Sequence, residues 1–208
     1  MLSICERDSR TADCPTLPVY SSARGIEPQL SGNRLVWSDF VDDRNSDIYF
    51  CEYDSLLGEC PIQRLTAELS IQQRPRIDRH VVVWEDERTG SSQISGIRLP
   101  RLAPVRNRVG RIGTPMRIRV RAVGPDSDML ELAASVLEAP SLKSLGARFV
   151  DLGRGRGELR WTPGSDQVGV FTFTFSATRR PGGLATRRTM QVDVSNYPRE
   201  ASRGSTWR

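Results

Sequence analysis

Cys5, eight intervening residues, Cys14 and Pro15 return as Cys51, eight intervening residues, Cys60 and Pro61, a shift of 46 for all three positions. A second set, Pro28, Val36, Trp37 and Asp39, returns as Pro75, Val83, Trp84 and Asp86 at a shift of 47, so one residue has been inserted between the two sets. A period of this size with short alternating segments fits a unit of four antiparallel strands, the blade of a β-propeller. Helical repeats of similar length need long runs of 3.6-residue period, which the chain lacks.

The repeat occupies only the first half, and charge divides the chain at the same place. Residues 1–100 hold 11 basic against 16 acidic residues, a net −5, whereas residues 101–208 hold 19 against 9, a net +10. Lys143 is the single lysine among 30 basic residues. So uniform a preference for arginine reads as a codon-composition bias, and basicity alone is therefore discounted as a functional signal. The length allows one or two domains with a sizeable core.

Around the second cysteine pair, residues 48–54 (IYFCEYD) alternate like a strand, residues 55–58 carry turn residues, and residues 60–66 (CPIQRLT) run back. Cysteines opposed across such a hairpin sit roughly 4.5–5.5 Å apart at Cα, inside the window a disulfide tolerates. The spacing predicts two bridges, Cys5 with Cys14 and Cys51 with Cys60, and with them an oxidising, extracytoplasmic compartment. The other reading is reduced, buried thiols. Zinc would want closer spacing and more histidine than His80 alone.

No signal peptide is visible in residues 1–25, and no run is long and apolar enough to span a membrane. Ile4 and Cys5 align with Phe50 and Cys51, so Met1 falls inside a blade, and the expectation is that upstream sequence has been lost.

Strands are expected over residues 2–20 as the outer half of one blade, then over 26–30, 34–39, 47–54 and 60–66 for the next, and over 74–77, 81–86 and 93–99 for a third unit lacking its fourth strand. LPRLAP, residues 99–104, reads as a boundary, with residues 100–103 as the linker. SGNRLVWSDF (31–40), DIYFCEYD (47–54) and CPIQRLT (60–66) resemble the repeat of TolB-like β-propellers, a likeness covering residues 1–99. It implies radially arranged blades that bind proteins or present loops, with no catalytic set. About two blades cannot close a ring, which leaves open edges for self-association.

In the second half, Met116, Ile118, Val120 and Ala122 alternate with arginines, Phe171, Phe173, Phe175 and Ala177 with hydroxyl side chains, and Met190, Val192 and Val194 with polar residues. Leu145, Ala147 and Phe149 mark a shorter strand, and Leu159 and Trp161 another. Several half-buried strands in about 90 residues fit a β-sandwich. The phrases AVGPDSD (122–128), LGARF (145–149), ELRWTPGSDQVGVFTFTFSATRRPGG (158–183) and TMQVDVSN (189–196) resemble the cadherin-like immunoglobulin-type domains of bacterial surface proteins, over residues 104–196. Residues 197–208 are expected to be a flexible basic tail.

That resemblance implies calcium on a turn of converging carboxylates, for which Asp126 and Asp128 are the candidates. Gly124 stands at the first Asp position, and Arg179 and Arg180 replace an Asp-Gly pair, so a solvated turn with two ordinary acids is the competing reading. Asp39, Asp42, Asp43 and Asp47 read as turn and hydrogen-bonding acids.

Catalytic patterns are poor. His80 aligns with Asn33 in a turn, and the chain has no G-x-S-x-G elbow and no phosphate-binding glycine loop. Trp37, Trp84 and Trp161 read as core. The expectation is an all-β, non-enzymatic, extracytoplasmic interaction or spacer module, a partial propeller followed by an immunoglobulin-like sandwich. Its partners would be a protein or a cell-surface glycan, with no cofactor beyond the calcium just considered. Two alternatives stand beside it: nucleic-acid binding by the basic half, through Arg117, Arg119 and Arg121, and a binding appendage of an enzyme encoded upstream.

Overall fold

The structure is a computed structural model that describes residues 2–5, 16–20, 25–42, 44–124 and 129–196. Side chains at Cys5 and Cys14, and the whole of Asp43, Asp126, Asp128 and the 197–208 tail, lie outside what it describes, and with them the first disulfide and the calcium candidates.

The regular elements are strands. β1 (Leu2–Cys5) and β2 (Thr16–Tyr20) form a two-stranded antiparallel sheet. β3 (Gly25–Ser31), β4 (Arg34–Asp42), β5 (Asn45–Glu52) and β6 (Ile62–Arg64) make a four-stranded meander, and β7 (Gln72–Asp78), β8 (Val81–Asp86) and β9 (Gln93–Arg98) a three-stranded one. The strands fall where the alternation placed them, and the second meander lacks its fourth strand as expected.

The repeat persists to the level of individual cross-strand pairs. Leu35↔Cys51, Val36↔Phe50 and Trp37↔Tyr49 in the first meander become Val82↔Ile97, Val83↔Gly96 and Trp84↔Ser95 in the second. β4 maps on β8 at a shift of 47 and β5 on β9 at 46, so the length difference sits in the connecting loop. Both first hairpins carry the same bulge, between Ile26 and Gln29 and between Gln73 and Arg76. In each a non-glycine residue takes the left-handed region just before the proline, Glu27 at φ 56° and Arg74 at φ 50°. A shared irregularity of this kind is stronger evidence of a structural repeat than shared strands.

The two meanders stack face to face. Val36, Ile48 and Phe50 from one meet Val82 and Trp84 from the other, with Leu99 and Leu184 completing the cluster. Leu35, Trp37 and Cys51 form a separate cluster on the far side of the first meander, where Trp37 stacks on Tyr49 at 5.9 Å. Cys51 and Cys60 are joined as a disulfide.

β10 (Arg101–Leu102), β11 (Arg108–Arg111), β12 (Met116–Val123), β13 (Leu130–Val136), β14 (Arg148–Gly153), β15 (Arg156–Trp161), β16 (Gly169–Arg179) and β17 (Ala185–Ser195) build a sandwich. One sheet has the order β10-β12-β15-β14 and the other β11-β17-β16-β13. Lettered from β10 and β11 as the two parts of the first strand, these are the A-B-E-D and C-F-G sheets of an immunoglobulin-like fold, with β11 crossing over to pair in parallel with β17. The alternating residues meet between the sheets. Ile118, Val120, Leu159, Trp161, Phe173, Phe175, Met190 and Val192 are all buried there, and Trp161 packs edge-on to Phe171 and Phe173.

The expected linker at 100–103 is structured instead. Arg101 and Leu102 pair with Val123 and Ala122, and Leu102 is buried in the sandwich core while Leu99 is buried in the meander core. Two residues are too few to show a period, so this strand leaves no alternation to read. The expected short strand at 145–149 lies later, at β14. Leu145 and Ala147 are buried but precede it, because the turn held by Ser141 and Ser144 occupies those residues.

Candidate interaction surfaces

Two arrangements stand out, one at the junction of the halves and one on the outside of the sandwich. At the junction, Arg34 and Glu52 face each other across β4 and β5, with Nε 3.2 Å from Oε1 and both side chains only 6% exposed. Arg34 also donates to the carbonyls of Arg79 at 3.0 Å and Pro100 at 3.3 Å. The Thr186 hydroxyl donates to Glu52 Oε2 at 2.5 Å, and Arg188 Nη1 lies 3.2 Å from Glu52 Oε1.

Further along β17, Thr189 donates to Asp54, while Gln63 and Ala185 exchange hydrogen bonds of 2.8 and 2.7 Å. Leu184, from the β16–β17 turn, enters the meander core. A buried arginine and glutamate with their hydrogen-bonding capacity met from both sides act as a clamp between the halves. A pocket of about 140 Å³ opens beside it, lined by Asn33, Asp54, Leu57, Arg187 and Thr189 among others.

On the outside of the sandwich, β12 buries Ile118, Val120 and Ala122, which turns Arg117, Arg119 and Arg121 to solvent as the alternation predicts. Register then adds four more arginines to the same face. Arg117 lies opposite Arg160, which lies opposite Arg148, Arg121 lies opposite Arg156, and Arg101 lies opposite the exposed Val123. All seven arginines are exposed.

The carboxylate among them is Glu158, opposite Arg119. It takes Arg160 Nε at 2.6 Å and Arg119 Nε at 3.7 Å. The hydrogen bond from Arg160, acting against burial and aided by the charges of Arg160, Arg117 and Arg119, holds its carboxyl below the ordinary carboxylate range.

The outer face of the other sheet is different. It carries the half-buried Thr174, Ser176, Thr178, Thr189 and Gln191, with Thr189 already engaged by Asp54, and its charges nearly balance, Arg111, Arg187 and the adjoining Arg180 against Glu131 and Asp193.

Of the four acids read as turn and hydrogen-bonding groups, Asp39, Asp42 and Asp47 are among the described residues. Asp47 is fully buried against Arg64 and accepts from Thr66 at 3.1 Å, Asp42 accepts from the Arg44 amide at 2.8 Å, and Asp39 is buried. No group of three or more His, Cys, Asp or Glu side chains is placed to hold a metal ion among the described residues.

His80 sits in the β7–β8 turn at the position of Asn33, and the parallel extends to the backbone: the Leu99 amide bonds the His80 carbonyl as the Tyr53 amide bonds that of Asn33, both at 2.8 Å. Partial burial, then the charges of Arg101, Arg98, Arg34 and Arg79, lower its pKa. No helix is long and apolar enough to cross a membrane among the described residues.

No family profile matches the chain, and no curated protein matches it. Among solved structures, a mutant of the SrpA adhesin from Streptococcus sanguinis is 14% identical with a TM-score of 0.40, over 47% of this chain and 58% of the adhesin chain. An endo-fucoidan hydrolase of glycoside hydrolase family 107 is 12% identical at 0.38, over 74% and 19%. Drosophila N-cadherin is 16% identical at 0.38, over 82% and 64%. The chain therefore spans less than two thirds of each of these proteins, and the likeness is one of all-β architecture alone.

Proposed function

We propose that this chain is a non-enzymatic extracytoplasmic module for interaction or spacing, in which TolB-like propeller blades over residues 1–99 carry a cadherin-like immunoglobulin-type sandwich over 104–196. The observation that carries the reading is the clamp. Arg34, Glu52, Thr186 and Leu184 hold the two halves in one orientation, as a part that presents surfaces at fixed spacing requires and a flexible tether would not. The Cys51–Cys60 disulfide supports the extracytoplasmic part. Arrays of surface glycans and extracellular proteins test the reading, with released products followed in parallel. The expected result is retention on at least one ligand without turnover. Cleavage of a bound glycan would overturn the non-enzymatic assignment.

A further inference from the structure

An arginine-biased chain should scatter arginine over every solvent face, and this sandwich does not. The outer face of β10-β12-β15-β14 has seven arginines and one glutamate, while the outer face of β11-β17-β16-β13, part of which lies against Asp54, Leu57 and Glu59 of the first half, has Arg111 and Arg187, with Arg180 just beyond β16, against Glu131 and Asp193. Composition cannot produce that segregation within one domain, because both sheets draw on the same codons. The arrangement also works against stability. Like charges directly opposite in a sheet repel, and here Arg117 faces Arg160, Arg160 faces Arg148 and Arg121 faces Arg156. Alternating signs would serve a merely solvated face better.

We propose that this face is a docking surface for a linear acidic polysaccharide carrying sulfate or carboxylate groups. Guanidinium groups bind such groups through paired N–H donors, and strands about 4.8 Å apart set them in a flat grid on which an extended polyanion can lie. Charge complementarity argues for a polyanion, and the rest of the face argues for a glycan. Its uncharged members are Val123, Val150 and Gly153, with the exposed Leu152 at the bulge beside them, so it offers no aromatic ring for a base to stack on, and a flat sheet does not enter a nucleic-acid groove. The Cys51–Cys60 disulfide of the first half suits a compartment in which acidic polysaccharides are encountered. This deepens the interaction-module reading and rests on it.

The test uses the full chain, a heparin-type sulfated oligosaccharide, its desulfated counterpart and a duplex DNA of similar charge, titrated at several salt concentrations. The expected result is binding to the sulfated sugar that persists at physiological salt, with weaker binding to DNA and none to the desulfated sugar. Replacing Arg117, Arg121 and Arg156 by threonine should cut affinity at least about tenfold and reduce the salt slope by about three, one per lost contact. The control R111T, on the outer face of the other sheet, should bind like the parent.

The triple variant should also melt no lower than the parent in low salt, since it relieves repulsion. Unaltered binding by the triple variant, or no binding by the parent, would overturn the proposal. Tighter binding to DNA than to the sulfated sugar would overturn it in favour of nucleic acid. Failure here leaves the module reading standing if the arrays show another ligand, and glycan cleavage there would end that reading whatever happens here.

Discussion

The two meanders share a backbone register but not the side chains that hang on it. Trp37 stacks on Tyr49 whereas Trp84 faces Ser95. Arg34 pairs with Glu52 whereas Val81 faces Arg98, and Phe50 gives way to Gly96. At Gly96 an added Cβ would come within 2.9 Å of the Val82 carbonyl and 3.0 Å of Val83, so the second unit cannot regain a large residue there without shifting. The conserved part is the hairpin of the first two strands with its bulge, and the divergent part is the third strand. A repeat can therefore keep its architecture in one hairpin and leave its third strand free for other work, such as Glu52 reaching into the sandwich.

The tryptophans should break the equivalence most visibly. Trp37 is fully buried and Trp84 is 6% exposed. Trp37→Ala should cost about 3–5 kcal/mol by chemical denaturation, and Trp84→Ala measurably less. Equal losses would mean that the two units are equally anchored.

The second contrast is between Glu52 and its counterpart. Glu52→Ala leaves Arg34 buried without its carboxylate and should cost about 3 kcal/mol, while Arg98→Ala, at an exposed position, should stay within about 0.5 kcal/mol. Scattering profiles should also broaden in the Glu52 variant as the halves loosen.

The disulfide is a device of the first unit, since Ile97 stands where Cys51 does. Closing a separation of nine residues is worth about 2–3 kcal/mol, which C51S/C60S should remove and reductant should reproduce in the parent. Non-reducing peptide mapping should recover Cys51 linked to Cys60, and finding those two as free thiols would remove the compartment argument.

The smallest effect is at the turn. With the His80 pKa lowered in the folded state, the unfolded chain binds more protons between that value and about 6.5, so stability is present above about pH 6.5 and declines as the pH falls through that window. His80→Asn, which installs the residue of the first unit, should flatten that part of the profile.

Most of the strand map was legible: β12, β16 and β17 announce themselves by alternation over six or more residues, and β4, β5 and β8 by the repeat and their short apolar runs. β13 did not. Its LELAASV places alanine and serine where a strand usually shows branched residues, so its pattern is no clearer as a strand than as a helix. The surfaces were legible in part. Arg117, Arg119 and Arg121 follow from one strand's period, but Arg101, Arg148, Arg156 and Arg160 join them only through pairing register, which no local pattern encodes. The clamp was invisible for the same reason, since Arg34 and Thr186 are 152 residues apart.

The crossing of β11 to the opposite sheet has a mechanical consequence. β11 enters from the side of the meanders and β17 leaves toward residue 196, and the two run parallel through Arg108↔Val192 to Arg111↔Ser195. Tension applied between the first half and the far end of the sandwich pulls these strands in opposite directions along their length. Their hydrogen bonds are then loaded together in shear and cannot open one after another like a zipper. The clamp at Ala185–Thr189 lies on the same strand, so the junction would share such a load with the β11–β17 pairing through β17 itself.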